Sequence, residues 1–105
     1  MSQTANGWIK SAHSGTKFVA AFTIHEILYN FTGDLSPSVP DFSANVATLK
    51  YDNVGELTTT REFSGQVGIT HIILNIVNSP VISGTLDLPI SPASTVSGSG
   101  TWTQN

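Results

Sequence analysis

A histidine followed by a glutamate stands inside the first long apolar run, FTIHEILYNFTGD at residues 22–34. On a helix, a second histidine four residues after His25 would complete a zinc-protease motif. Two imidazoles would then grip one metal ion from one face, with Glu26 beside the bound water. Tyr29 occupies that position. On a strand, His25 and Glu26 would point to opposite faces. We therefore expect no metal site in this run.

A second chemical candidate, His71 with Asp87, depends on how two later segments pair. Alternating apolar residues in GITHIILNIVNSPVISGTLDLPI predict a hairpin with Ile76 opposite Ile82. Pro80 cannot adopt a left-handed φ, so we expect a loop over residues 77–81. This register places His71 opposite Asp87, and a carboxylate in that position orients an imidazole as in half of a catalytic triad. The sequence has no G-x-S-x-G elbow, and we interpret the pair first as a surface contact.

Aromatic residues beside short polar groups give a third candidate, a binding site. Tyr51 precedes Asp52 and Asn53, and Trp102 lies in the C-terminal TWTQN. Sugar recognition combines a flat apolar ring with planar donors and acceptors. We select Tyr51, Asp52, Asn53 and Trp102 as predicted ligand-binding residues. The competing interpretation makes Tyr51 and Trp102 core or edge aromatics and their neighbours turn residues.

The composition excludes several classes of function. The chain has no cysteine, hence no disulfide or thiolate metal site. Charged residues make up 10% of the chain, against an average of about 25%, and 26 serines and threonines supply polarity instead. The basic residues are too few and too scattered to follow a phosphate backbone, so we expect no nucleic-acid partner. Gly98-Ser99-Gly100 lacks the lysine of a phosphate loop, and we expect no cofactor.

The location of the protein is predicted from what its sequence lacks. No apolar run reaches the roughly 20 residues that a membrane-spanning helix needs. The N-terminus MSQTANGW has no basic-then-apolar signal pattern. We predict a cytoplasmic protein, with signal-independent export as the alternative, and expect the glycosylation sequon at Asn30 to be unused.

Strand-like segments with regularly spaced turn signals must position these candidates. The segment ANVATLKY, the turn DNVG and the segment ELTTTREFSG predict a hairpin in which Tyr51 lies opposite Leu57 and Thr48 opposite Thr60. The whole pattern predicts one domain over residues 1–105. Its fold class is all-β, a small antiparallel β-sandwich or barrel of six to eight strands.

The N-terminal third of the chain is less decided. We expect a strand near Trp8, a turn at Ser14-Gly15 and a second strand. Residues 18–31 are apolar on both faces and fit either a strand or a buried helix, with aromatic and β-branched residues favouring the strand. LSPSVPDF reads as a loop, and residues 91–100 as a mobile approach to a short last strand.

The sequence thus favours a non-enzymatic binding module, lectin-like or for a small amphiphilic ligand. Few charges protect the sheet edges, so we expect a homo-oligomer. The first alternative is a small β-barrel enzyme of the cyclase or isomerase kind, with His71 and Asp87 as the acid–base pair in an apolar pocket. The second is an assembly or interaction module.

Overall fold

The computed structural model describes residues 3–12, 16–36, 39–77 and 80–104. It is built of strands, with one 3-10 turn at Val54–Glu56. The predicted all-β, antiparallel class is confirmed. The strands are β1 (Gln3–Ala12), β2 (Lys17–Ile24), β3 (Ile27–Ser36), β4 (Ser43–Tyr51), β5 (Thr60–Ile76) and β6 (Val81–Gln104).

The strands form one sheet that closes on itself. The order is β3-β2-β1-β4-β6-β5, and β3 also pairs with β6. Closure is possible because β6 is long: its residues 81–84 pair with β4 and its residues 97–104 pair with β3. Closing the sheet pairs backbone edges that would otherwise be exposed. The edge pairing that led us to expect an oligomer is therefore already satisfied within one chain.

The long hairpin of β5 and β6 folds back on itself. β6 pairs with both halves of β5, and the register shifts near Gly68, where φ is 109°. The two ends of β5 lie side by side: the N–H of Val77, directly after β5, donates to the carbonyl of Glu62, near its start, at 3.0 Å. Gly65 is needed at this contact: a Cβ there would lie 1.9 Å from the carbonyl oxygen of Ile73.

Aromatic rings fill the interior of the closed sheet. Phe18, Phe31 and Phe63 pack with centroid separations of 5.3–6.1 Å, and Trp102 lies 4.6 Å from Phe31. Gly100 makes room for them, since a Cβ there would lie 2.6–2.9 Å from the Phe31 ring. Among the described residues no polar or charged side chain is buried. The interior is thus an apolar core filled by side chains.

The first predicted hairpin has the correct inward face but the wrong partners. Its apolar residues Ala47, Leu49, Tyr51, Leu57 and Phe63 are all buried. β4 nevertheless pairs with β1 and β6 rather than with β5. Residues 52–59 carry the chain to another part of the sheet. The prediction was wrong because alternation fixes which face a residue occupies, and any partner in the same phase satisfies it.

The second hairpin is confirmed, but its predicted register was wrong. The Ile76 N–H donates to the Pro80 carbonyl at 2.9 Å, so Ile76 does not pair with Ile82. His71 consequently lies opposite Thr85, two residues from the predicted partner. The connecting loop is shorter than we expected, and residues 78 and 79 within it lie outside the described residues. A slip of two keeps the side chains of the paired stretch on their predicted faces, whereas Leu88, which the same alternation places inward, is 78% exposed.

Residues 18–31 form strands, and the helical alternative is excluded. β2 and β3 pair antiparallel, with Ile24 opposite Ile27. His25 and Glu26 form the turn between them, with φ values of 50° and 67°. Two successive positive φ angles are typical of the type I′ hairpin turn. That turn favours Asn-Gly, so the pair His-Glu did not indicate a turn at this position. The predicted turn at Ser14-Gly15 lies outside the described residues.

The prediction for residues 91–100 was wrong. They belong to β6, with residues 94–101 paired to β5 and residues 97–104 paired to β3. Their many small residues reflect close packing: a Cβ at Gly98 would lie 2.1 Å from the carbonyl oxygen of Asp34. The predicted loop LSPSVPDF is confirmed at residues 39–42, although β3 extends to Ser36.

Candidate functional site

His25 and Glu26 stand at an exposed turn tip, away from any other ligand set. Both residues are exposed at the end of the β2–β3 hairpin. Among the described residues, His, Asp and Glu form no group of three that could hold a metal ion. In the structure His25 and Glu26 form the turn that reverses the chain between β2 and β3.

Asp87 does not orient His71; it braces an irregular stretch of β4. Its carboxylate accepts hydrogen bonds from the Ser43 hydroxyl at 2.8 Å and from the Asn45 N–H at 3.3 Å. His71 instead has its Nδ1 2.8 Å from the Thr70 hydroxyl. The two members of the predicted acid–base pair thus have separate partners.

The irregularity that Asp87 braces is a β-bulge opposite Trp8. Gly7 pairs with Ala47 and Ile9 with Ala44, so β4 places two residues, Asn45 and Val46, against the single Trp8 of β1. The extra residue of a bulge loses its regular ladder bonds. The Asn45 N–H recovers a partner in the Asp87 carboxylate. The bulge also leaves Val46 73% exposed.

The four residues predicted to bind ligand divide between the core and a loop. Tyr51 is 3% exposed and Trp102 is 4% exposed. Asp52 and Asn53 are exposed at the start of the segment 52–59. The Asp52 N–H donates to the Glu56 carboxylate at 3.0 Å. In this conformation neither ring presents a face to solvent, which agrees with the competing core and turn interpretation.

Trp102 carries one unpaired polar atom. Its backbone N–H donates to the Thr59 carbonyl at 2.9 Å. The indole Nε1 is buried, and in the described part of the chain it has no hydrogen-bond partner. A buried donor without an acceptor costs about 1–3 kcal/mol of folding free energy, so this unpaired N–H makes the folded protein less stable.

The exposed aromatic of this protein is its other tryptophan, Trp8, which is 37% exposed. Across neighbouring strands it begins a row in which Trp8 pairs with Ala21, Ala21 with Asn30, and Asn30 with Thr103. The next row runs from Lys10 through Val19 and Thr32 to Thr101. We call these two rows the Trp8 face: Trp8, Ala21, Asn30, Thr103, Lys10, Val19, Thr32 and Thr101.

The Trp8 face is ordered by contacts between its own side chains. The Lys10 ammonium lies 5.1 Å from the centroid of the Trp8 ring, a cation–π distance. Ala21 is only 2% exposed although it lies outside the core cluster. It is therefore covered from the outer side, where Trp8 and Asn30 are its cross-strand partners.

A cleft of about 340 Å³ with a mixed polar and apolar lining begins at the edge of this face. Val19, Thr32 and Thr101 line one part of it. An ion pair between Lys17 and Asp34, 2.6 Å long, lines another. Both ends of this pair are more than half exposed, so its contribution to stability is small. Its effect is to reduce the net charge around a surface of hydroxyl groups.

Trp8 was not among the predicted ligand-binding residues, although the sequence carries a signal for it. Ala5 and Ile9 are buried and differ from Trp8 in strand phase. Alternation along ANGWIK therefore places the indole on the outer face together with Lys10. We had used Trp8 only as a sign of a strand.

Comparison with protein-family models, with curated proteins and with solved structures found no match for this chain. In the described ranges no helix is long and apolar enough to cross a membrane. Function must therefore be argued from the surface itself.

Proposed function

We propose that this chain is a non-enzymatic carbohydrate-binding module and that the sugar lies on the Trp8 face. The observation that carries the proposal is the partly exposed indole of Trp8 at one end of a hydroxyl- and amide-bearing sheet surface. The C–H groups of a sugar ring pack against an indole, while its hydroxyls need short polar partners. Lys10 supplies such a partner beside the ring, and Asn30 and Thr32 supply others two strands away on the same face.

The charge of the surface favours a neutral, hydroxyl-rich ligand. Lys17 is paired with Asp34, which leaves Lys10 as the cation of the Trp8 face. One ammonium over a ring is a weak basis for binding a polyanion, which needs clustered cations. The threonines of the Trp8 face, Thr32, Thr101 and Thr103, are exposed donors and acceptors on paired strands. β-Branched side chains on paired strands have few rotamers, so binding them costs little entropy.

The proposal includes a homo-oligomer, associated through an apolar patch next to the Trp8 face. Val46 and Leu88 are 73% and 78% exposed. Val46 lies opposite Trp8 at the bulge, and Leu88 lines a cleft of about 470 Å³ together with Lys10 and Phe42. Because the sheet is closed, copies would meet through these side chains rather than by pairing strands. Several copies on one assembly would raise avidity for a repetitive glycan.

The test compares sugar binding by two tryptophan variants. The probe is the first glycan that binds the wild-type protein on a glycan array. Trp8→Ala is expected to weaken its affinity by about five- to thirtyfold, since a stacked aromatic contributes on the order of 1–2 kcal/mol. Trp8→Phe should retain part of the affinity. Trp102→Phe is the control that keeps the outer surface intact, and its affinity should match the wild type within about twofold.

Two outcomes would reject the proposal. One is a glycan affinity that Trp8→Ala leaves unchanged. The other is an array on which the wild-type protein, folded by circular dichroism, binds nothing. Loss of binding in Trp102→Phe but not in Trp8→Ala would instead indicate that the sugar binds at the residues predicted from the sequence, Tyr51, Asp52, Asn53 and Trp102.

A further inference from the structure

The cleft at the edge of the Trp8 face is a groove that crosses β2, β3 and β6. Its lining contains three rows of cross-strand partners, with one residue from each of these strands. The first wall of the groove is a row that belongs to the Trp8 face: Val19, Thr32 and Thr101. The second wall is the row two residues away along each strand: Lys17, Asp34 and Ser99. The floor is the row between the walls: Phe18, Gly33 and Gly100.

The floor of the groove raises no side chain between the walls. Phe18 is buried among the core aromatics, and Gly33 and Gly100, which are cross-strand partners, have no side chain. The floor is therefore backbone and C–H surface. Because the walls are two residues apart along each strand, their backbones are separated by about 6.5 Å. This spacing leaves room for one unbranched chain.

Both walls of the groove offer hydrogen-bonding groups to a ligand. Within the ranges that the structure describes, the hydroxyls of Thr32 and Ser99 form no side-chain hydrogen bond, so both are open to a partner. The ion pair of Lys17 and Asp34 is more than half exposed and presents a donor and an acceptor in the second wall. Its two charges offset each other, so this wall suits uncharged hydroxyl groups.

The groove continues the Trp8 face. Thr32 belongs to both, and Lys10, whose ammonium lies over the Trp8 ring, is the cross-strand partner of Val19 in the first wall. β1, which carries Trp8, and β6, which carries Ser99, are three strand spacings apart through β2 and β3, or about 14 Å along the curved sheet. A single sugar ring on the indole does not reach Ser99, whereas a chain of several rings does.

We propose that the ligand of the Trp8 face is a linear, neutral, β-1,4-linked glycan that runs from the Trp8 indole into this groove. The inference rests on the sugar-binding function proposed above and specifies its ligand. A β-1,4-linked hexose chain is a flat ribbon with hydroxyls along both edges and C–H groups on its faces. Its edges meet the two walls and one face meets the floor. Lys17, Asp34 and Ser99 bind hydroxyls of a unit that lies beyond the reach of Trp8.

Calorimetric titration with sugars of increasing length tests the proposed ligand. The probes are cellobiose, cellotetraose and cellohexaose. Affinity should rise by about tenfold or more from cellobiose to cellohexaose, because each hydrogen bond that the longer chain gains in the groove contributes about two- to tenfold. Maltohexaose has the same number of glucose units, but its α-1,4 links coil the chain. It should bind at least fivefold more weakly than cellohexaose.

Two double variants test whether the additional affinity arises in the groove. Asp34→Ala with Ser99→Ala removes two hydrogen-bonding groups from the second wall. It should weaken cellohexaose binding by about tenfold and leave cellobiose binding within about twofold of the wild type. The matched control is Ser36→Ala with Ser97→Ala, the next cross-strand pair, which lines a neighbouring cleft of about 450 Å³ but not this groove. Its affinity for cellohexaose should equal that of the wild type.

Three results would overturn the assignment of a β-1,4-linked ligand. They are equal affinity for cellobiose and cellohexaose, equal effects of the two double variants on cellohexaose binding, and no binding of any cello-oligosaccharide. In each case the proposed function still stands if Trp8→Ala weakens binding of the glycan identified on the array. If that glycan binds Trp8→Ala as well as it binds the wild type, the proposed function fails and this inference fails with it.

Discussion

Single residues in this protein carry roles that their types alone do not disclose. Asp87 and His71 fit half of a catalytic triad by type, yet the carboxylate bonds to Ser43 and Asn45. Their separation follows from a register shift of two residues, which no local pattern distinguishes from the predicted register. Residue type and strand phase could be predicted from sequence, but the partner across the sheet could not.

Asp87 should therefore contribute to stability rather than to catalysis. Asp87→Ala removes two acceptors and leaves the Asn45 N–H at the bulge without its partner. We expect the free energy of unfolding to fall by about 1–2 kcal/mol, measured by urea denaturation. Asp41→Ala is the matched control, because the one side-chain hydrogen bond that Asp41 has with another described residue, Ser11, is 3.5 Å long, and the variant should stay within about 0.5 kcal/mol of the wild type. An Asp87→Ala protein as stable as the control would contradict this role.

A larger residue in place of Gly100 should destabilise the protein, because there is no room for its side chain beside the Phe31 ring. A Cβ there would meet three atoms of the Phe31 ring at 2.6–2.9 Å, inside the aromatic cluster. Gly100→Ala is expected to lower the free energy of unfolding by about 1–3 kcal/mol. Gly55→Ala is the control, since at that exposed position a Cβ meets only the Asn53 side chain. Equal thermal melting of the two variants would contradict the packing described for the core.

At the scale of elements, the sequence specified strands better than it specified their connections. The predicted inward set of β4 is buried, and that of β6 is buried except for Leu88, which is 78% exposed. The turn between β2 and β3 was missed, because histidine and glutamate are not the residues that a type I′ turn favours, although His25 and Glu26 adopt positive φ here. The Trp8 site was missed for a different reason: its residues come from four strands, β1, β2, β3 and β6, and β6 becomes a neighbour of β3 only through closure of the sheet.

The protein should become more stable when the residues of the β2–β3 turn favour the positive φ angles of that turn. Replacing His25-Glu26 with Asn-Gly supplies residues that adopt positive φ at little cost, so the protein should be stabilised by about 1–2 kcal/mol. The control makes the same Glu→Gly change in a strand: Glu62→Gly should destabilise the protein by roughly 0.5–1 kcal/mol. The two midpoints in urea should therefore move in opposite directions. A destabilised Asn-Gly variant would show that His25 and Glu26 have a role beyond the turn.

At the scale of the whole molecule, closing the sheet changes what the surface can do. An open sheet of this composition would recruit partners through its edges, whereas the closed sheet offers its outer face. Val46 lies opposite Trp8 and Leu88 lines a cleft with Lys10, and these two exposed residues are our proposed contact between copies. In this proposal, oligomeric state and sugar binding depend on adjacent surfaces.

The oligomer should dissociate when this patch becomes charged. Val46→Lys with Leu88→Lys is expected to reduce the molar mass from light scattering to that of one 11.1 kDa chain, because like charges would face each other across a symmetric contact. Val54→Lys, at another exposed apolar residue, should leave the mass unchanged. A wild-type protein that is already a monomer at high concentration would refute the proposed contact.

The most direct test of the account is to map the bound glycan residue by residue. A ¹H–¹⁵N correlation spectrum of the wild-type protein would be recorded during titration with a glycan that binds it. We predict that the largest shift changes fall on the Trp8 indole and on the amides of Lys10, Asn30 and Thr32, with Asp52 and Asn53 unaffected. Changes concentrated at residues 51–53, with the Trp8 signals unmoved, would contradict the claim that the Trp8 face is the binding surface.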